Sequence, residues 1–410
     1  MPFFVFLRTN LRWLGAGLLL TFFSAFGQTY FISLSAGELR AAFDLSHGAF
    51  GGLYMAATLC SAISLTYVGK FVDTHPLALV TGAVVIGLAL FSSAMASVSS
   101  VAMLFVVLFG LRLFGQGMMT HVAMTAMGRW YEAQRGRAVS IAALGMQCSE
   151  AVLPLTYVAL AAGLGWRGTW WVAAAVLVLV ALPVLLLLLR VERIPRGTVS
   201  VDESDTVRPA RRQWTRGEVL RDPVFWVISL GTLAPPFIGT TIFFHQVYLV
   251  ELRGWTQALF ASSFLAMSAM TVTCALTAGW LVDKVTAVRL LPAFLLPLSV
   301  ACIVLASIEA PFAAFVFMAL FGMSNGVSST LFGALWPEVY GTRHLGAVRS
   351  VTVSLMVLAS AAGPGLTGWL IDLGVPYENQ ILAMALYCLL ACGAMAVVSR
   401  RLVARAASGG

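Results

Sequence analysis

Charge is what this 410-residue chain has least of: Asp, Glu, Lys and Arg together make up only 10% of it. Soluble domains carry about 25% of these residues, so a water-facing surface of this size cannot be assembled from so few ionic groups. Hydrophobic residues instead reach 60%, and lipid must be the solvent for most of the surface. Cysteine is absent from every connector. Cys60, Cys148, Cys274, Cys302, Cys388 and Cys392 all sit inside apolar runs, which argues against an extracellular disulfide framework. Cys388 and Cys392 are four apart but have no His or further Cys beside them, so they read as packing residues and not as metal ligands. A Gly-rich phosphate loop, a metal cluster and a nucleophile–base set are all missing, which disfavours an enzyme and implies no cofactor. Without a re-entrant filter or repeated charge ring a channel is disfavoured too.

What the chain does have is long apolar runs. A membrane-crossing helix needs roughly 20 such residues, and twelve runs can be drawn: 12–35, 47–68, 77–96, 100–125, 138–162, 169–189, 224–250, 257–281, 287–307, 311–334, 347–371 and 380–399. The sixth, from Trp171 to Leu189, carries no polar side chain. The first is too long for a signal sequence, and Gln28, Thr29 and Tyr30 stand where a small-residue cleavage site would be needed, so it reads as a retained helix.

The 25 basic residues give a net charge of +8, which in a soluble protein would suggest nucleic acid. Their placement suggests a membrane topology instead. With the N-terminus inside, all but four fall in inner connectors and tails; Arg40, Arg167 and Arg253 are outside and Arg112 lies within a span. An even number of spans then puts both termini in the cytoplasm, in a cell membrane of the bacterial inner-membrane kind. The longest polar stretch, 191–222, contains Pro195 and Pro209 and both signs of charge. It is expected to be a cytoplasmic linker, with an amphipathic piece near Trp214–Val219, between bundles at 1–190 and 223–410.

Advancing the numbering by 210 superimposes Gly69 on Gly279, Asp73 on Asp283, Gly136 on Gly346 and Pro154 on Pro364. Acidic residues are rare here, so the recurring Gly-x-x-x-Asp after spans two and eight points to an internal duplication. The expected fold is an all-α membrane protein, with twelve transmembrane helices in two pseudo-symmetric six-helix bundles.

Three segments carry a family resemblance. Gly69-Lys70-Phe71-Val72-Asp73 and Gly279-Trp280-Leu281-Val282-Asp283-Lys284 resemble the loop motif that follows spans two and eight in the major facilitator superfamily. Arg112-Leu113-Phe114-Gly115-Gln116-Gly117 resembles its span-four motif, and the stretch from Arg129 through Arg135 to Ala138 is similar to the loop after span four in the monocarboxylate and oxalate–formate branches. The resemblance implies a secondary transporter, an inner gate involving Gly69, Asp73, Arg135, Gly279, Asp283 and Lys284, and a substrate or proton role for the span-four Arg. Thr74-His75-Pro76 departs from the Arg expected after Asp73, and the Gly-Pro pattern of proton-driven drug antiporters is missing from span five.

Ionisable side chains inside a span cost about 2.5–3.5 kcal/mol on insertion scales and usually face a cavity or one another. Arg112 and Glu150 are the two that lie well inside spans, at matching depth on spans four and five, and a buried pair is the expectation. On an α-helix Arg112 would share a face with Gln116, and Glu150 with Gln147 and Tyr157. The shift of 210 puts Gly322 and Ser360 at their positions, so the charges lie outside the duplicated scaffold. The alternative is a structural ion pair. An anionic substrate taking the Arg fork would free Glu150 to bind a proton, coupling the two movements. Cavity or outer-gate candidates are Gln28, Tyr30, His245, Gln246 and Asn325, with interhelical hydrogen bonding as the alternative for each. Pro235-Pro236 is expected to kink or break span seven. His121 is expected to be structural.

The expected function is alternating-access, proton-coupled movement of a small organic anion such as a monocarboxylate. The expected partners are that substrate, protons and the bilayer, for a monomer that binds no nucleic acid. Proton-driven efflux of amphiphilic compounds and a non-transporting receptor are the alternatives.

Overall fold

A computed structural model describes residues 3–131, 134–191, 213–341 and 343–407. The side chains of Arg135 and Asp283 lie outside the described residues. Nearly everything described is helical, with no strand among the described residues. Among the described residues, nine helices are long and apolar enough to cross a bilayer. Three adjustments complete the count. Val5–Gly27 and Thr29–Phe43, bent by 44°, together make span 1. The 54-residue run Gly136–Leu189 turns over at Gly165 (φ 69°, ψ 170°) and makes spans 5 and 6. Ala287–Leu290 and Leu296–Ser307 form the interrupted span 9. The chain is therefore a multi-pass membrane protein, with twelve helical crossings among the described residues.

The remaining spans are 2 (His47–Val68), 3 (Leu77–Ala96), 4 (Val101–Trp130), 7 (Pro223–Phe244), 8 (Gln257–Val285), 10 (Phe312–Tyr340), 11 (Leu345–Asp372) and 12 (Tyr377–Ala407). Their starts follow from local chemistry. Ser46, Ser100, Asp222 and Thr256 precede spans 2, 4, 7 and 8, and each side chain accepts a backbone N–H of the first turn. Basic residues satisfy several ends. Arg12 donates to Leu187 O and Leu188 O at the end of span 6, Arg167 to Ala96 O and Val98 O after span 3, and Arg253 to Leu305 O and Ala306 O near the end of span 9. Two of the basic residues outside the main charge pattern, Arg167 and Arg253, thus neutralise the negative ends of helices.

The chain divides into two compact units, Met1–Ser204 with Gln246–Tyr248, and Asp205–His245 with Leu249–Gly410. In the first, span 5 crosses span 1 so closely that a Cβ on Gly145 would fall 1.9 Å from Leu18 O. In the second, Gly322 and Gly326 lay span 10 against the backbone of span 8; an added Cβ would lie 2.3 Å from Met267 O and Thr271 O respectively. Small residues at such crossings are how membrane helices gain close packing. The Trp214–Val219 segment ends in a short helix, Arg216–Arg221, opened by a Thr215/Glu218 capping box. Trp214 N–H donates to Tyr340 O, and Tyr340 Oη donates to Asp222 Oδ2, fastening this stretch to the end of span 10.

Span 7 is not broken at its proline pair. Its helix runs without interruption through Pro235 and Pro236 and gives way only at His245. Neighbouring side chains brace it: Met395 fills the space beside Gly231 and Phe321 that beside Gly239. Proline in a membrane helix is tolerated where adjacent helices hold the backbone in this way.

Candidate functional site

Two irregular helices meet in the first unit. Span 1 narrows to a 3-10 turn at Ser24–Gly27 and then opens at Gln28 (φ −84°, ψ 151°) before resuming at Thr29. Span 4 widens to a π-helix over Arg112–Met119, a distortion found often at functional sites. The two touch backbone to backbone: a Cβ on Gly27 would lie 2.1 Å from Leu111 O, and one on Gly115 would lie 2.5 Å from Gly27 Cα. Neither position has room for a side chain.

The opening at Gln28 leaves a carbonyl to satisfy. Phe31 N–H, which a regular helix would direct at Gly27 O, bonds to Gln28 O instead. Arg112 answers this. Its Nη1 donates to Gly27 O at 3.1 Å and to Thr29 Oγ1 at 3.3 Å, and its Cζ lies 5.3 Å from the centre of the Tyr54 ring. Thr29 and Tyr54 hydroxyls are 2.7 Å apart. Arg112 is only 2% exposed, and its Nε has no hydrogen-bond partner. No carboxylate among the described residues lies within 4.0 Å of the guanidinium. The expected Arg112–Glu150 pair is not formed, because the broken first span occupies Arg112.

Glu150 sits elsewhere in the same unit. Ser149 Oγ donates to Met146 O, which leaves the Tyr30 hydroxyl to donate to Ser149 Oγ at 2.9 Å. The Glu150 carboxyl is near enough to act electrostatically on Tyr30. Glu150 Oε2 and, one turn earlier, Gln147 Oε1 are both buried without a hydrogen-bond partner. In the π-helical stretch bonds run from i to i+5, which brings Gly117 toward Arg112 O. Gln116 stays half-buried in the widened turn, and Gln28, on the opened segment, is 9% exposed.

Tyr157 is set apart from this group. Its hydroxyl lies 2.6 Å from Ser35 Oγ, which also accepts from Trp170 Nε1, and its ring packs edge-on against Phe31. That cluster ties spans 1, 5 and 6 together. His245 Nε2 is 3.2 Å from Pro364 O in the second unit, the interhelical bond weighed against a gating role. Gln246, which groups with the first unit, donates Nε2 to Tyr30 O and Ser33 Oγ. Asn325 is half-buried on span 10 beside the Gly322–Gly326 crossing.

Among the loop-motif residues, Asp73 lies 3.7 Å from Arg129, whose Nη1 also donates to Val72 O. His121 Nε2 is 3.3 Å from Gly69 O, consistent with its structural assignment. Lys284 Nζ rests 3.9 Å from the centre of the Trp280 ring. Gly279 meets only Thr330 Cγ2, at ordinary contact distance. Sequence reasoning missed Thr29, Tyr54 and Ser149. The signal for the first was the polar Gly27-Gln28-Thr29 step inside an apolar span. Tyr54→Phe removes a buried hydroxyl bond and is expected to cost about 1 kcal/mol, read as a lowered unfolding temperature in detergent.

Residues 17–364 match the family model described as Major Facilitator Superfamily. The chain belongs to this superfamily. No curated protein matches its sequence. Among solved structures, a bacterial homologue of the human lysosomal transporter Spinster in an inward-facing, unoccupied conformation is 18% identical, with TM-score 0.75 over 95% of this chain and 97% of that one. The same homologue in an occupied conformation gives 18% and 0.75, covering 96% and 97%. A mutant of the nucleoside transporter NupG is 11% identical, with TM-score 0.66 over 96% and 99%. At these identities the likeness is one of fold. As a major facilitator protein the chain is a transporter.

Proposed function

We propose that this transporter moves a small organic anion, such as a monocarboxylate, together with protons, by alternating access across a cell membrane with both termini in the cytoplasm. The observation that carries the reading is Arg112: a guanidinium 2% exposed, with its Nε unpartnered and no described carboxylate in reach. A buried cation with open donors is costly until an anion completes it.

Charge counting then supplies the coupling. With Glu150 ionised and no substrate, the site holds one positive and one negative charge. With an anion on Arg112 and a proton on Glu150, it is again neutral. Either ligand alone leaves a net charge in a low-dielectric interior, where a charge imbalance is expensive. Only the empty and the doubly loaded forms cross cheaply, so anion and proton travel together. Gln28, Gln116 and Gln147 supply amides with which the anion's remaining oxygens and Glu150 can bond. The spread of basic residues supports the assigned orientation.

Glu150→Gln tests the scheme. The variant is neutral with anion alone but charged when empty. In proteoliposomes it is expected to exchange labelled anion for unlabelled anion while losing accumulation driven by an inward proton gradient. Accumulation at the wild-type level under that gradient would show that Glu150 is not the proton carrier. Screening carboxylates against lipophilic cations in the same vesicles separates anion uptake from efflux of amphiphiles.

A further inference from the structure

The second unit contains a cavity of about 490 Å³ lying wholly among spans 7, 11 and 12. Spans 11 and 12 leave their short connector and part, while span 7 packs against both and closes the back. The walls are apolar: Leu233 and Phe237 come from span 7, Leu366 and Leu370 from span 11, Ala383 and Met384 from span 12. Leu366 and Tyr387 are 47% and 38% exposed at its rim, so the cleft is open along its side. It begins at Val375, Asn379 and Gln380 near the connector and reaches down to Ala359 and Tyr387. From Gln380 to Tyr387 the helical rise is about 10 Å, the length of a membrane-buried slot and not of a surface dimple.

Its polar end is built. Gln380 is 5% exposed, and its Nε2 donates to Val375 O at 3.1 Å, which fixes the amide's orientation. That leaves Gln380, a residue of the cleft wall, with its Oε1 buried and no hydrogen-bond partner. An unfilled acceptor in an apolar wall is unfavourable until a donor reaches it. The flanking charges select the donor. Asp372 ends span 11 and Glu378 opens span 12, whereas no Lys or Arg occurs between Arg349 and Arg400. A cationic donor suits this mouth and a phosphoglycerol head, anionic and without an ammonium group, does not.

We infer that the cleft between spans 11 and 12 is a binding site for a bilayer phospholipid with a primary ammonium headgroup, one acyl chain lying along span 7 and the ammonium donating to Gln380 Oε1. The inference is independent of the anion pathway in the first unit. A lipid seated here would fill the gap between spans 11 and 12 and so complete the packing of the second unit.

The test uses full-length protein reconstituted in vesicles of equal phosphatidylethanolamine and phosphatidylglycerol, extracted in mild detergent and weighed by native mass spectrometry. The wild type is expected to retain one phosphatidylethanolamine per chain, preferred over phosphatidylglycerol about tenfold or more, the order expected of one hydrogen bond to a charged donor. Ala383→Trp fills the slot and should remove the retained lipid. Gln380→Leu should keep a lipid but bring the preference close to one. Leu386→Trp, at a 56% exposed position of span 12 outside the cleft, should change neither. Equal retention of the two lipids by the wild type, or unchanged preference in Gln380→Leu, would overturn the assignment. So would undiminished retention in Ala383→Trp.

Discussion

Arg112→Ala is expected to abolish measurable anion uptake, with apparent affinity weakened at least about 100-fold. The estimate follows from losing two charge-assisted hydrogen bonds, each worth about 1.5–3 kcal/mol in a site that excludes water. Arg112→Lys separates the two jobs of the side chain. A lysine keeps the positive charge but offers a single ammonium in place of a planar fork. Arg112 already commits Nη1 to Gly27 O and Thr29 Oγ1, so a lysine has to choose between the first span and the substrate. Uptake by the lysine variant should therefore be measurable with KM raised about tenfold or more, while the alanine variant shows none. The alanine variant also leaves Gly27 O without its donor, and its unfolding temperature should fall even without substrate. Initial rates in proteoliposomes, with unfolding followed in parallel, distinguish loss of the site from loss of the fold. Wild-type affinity in Arg112→Ala would remove Arg112 from the anion's path altogether.

A large effect on folding is expected at Gly322. A single added methyl there would stand 2.3 Å from Met267 O, too close to be relieved without moving span 8 or span 10. Gly322→Ala is expected to cost about 1–3 kcal/mol, as overpacking does, and Gly322→Leu to leave no monodisperse protein on size-exclusion chromatography. Gly393→Ala on span 12, where a Cβ meets nothing within 4 Å, serves as the neutral comparison. Normal yield and unfolding temperature for Gly322→Leu would mean that spans 8 and 10 do not cross so closely in the membrane.

Gly322 also clarifies what the duplication leaves open. Its counterpart in the first half is Arg112. One half uses the position to bring two helix backbones together, and the other uses it for a cation resting over Tyr54. Positions matched by the shift of 210 thus serve packing in one bundle and electrostatics in the other.

Most of the architecture was legible because a bilayer imposes length and apolarity on each crossing, and spans 2, 3, 8 and 10 declare both in their runs. What escaped was irregular backbone. Nothing in Phe26-Gly27-Gln28 resembles a helix stop as strongly as Pro235-Pro236 does, yet the chain opens at Gln28 and continues through the prolines. Helix continuity here depends on what the neighbours brace and which carbonyls they satisfy, and neither is written locally. The Arg112–Glu150 pairing failed for a related reason. Counting residues along a helix gives depth, but the partner a side chain takes depends on which nearby groups lack a donor, and here Gly27 O and Thr29 Oγ1 take Arg112. Glu150 and Gln147 were still identifiable as interior groups, since polar side chains so far inside a span have few other places to go.

The widened turn at Arg112–Met119 has a consequence for comparing this chain with its relatives. A π-helical turn holds a surplus residue that an α-helix would not need, so it marks a place where one residue can be gained or lost without breaking the helix. Losing one there would return the turn to α-helix and leave Met127 and Trp130 facing as they do now, whereas a loss from the regular turns on either side would rotate everything beyond it by about 100°. One-residue length differences among related chains are therefore best placed at this widened turn of span 4, and sequence alignments that force them into the flanking loops will mispair the residues opposite Gly27.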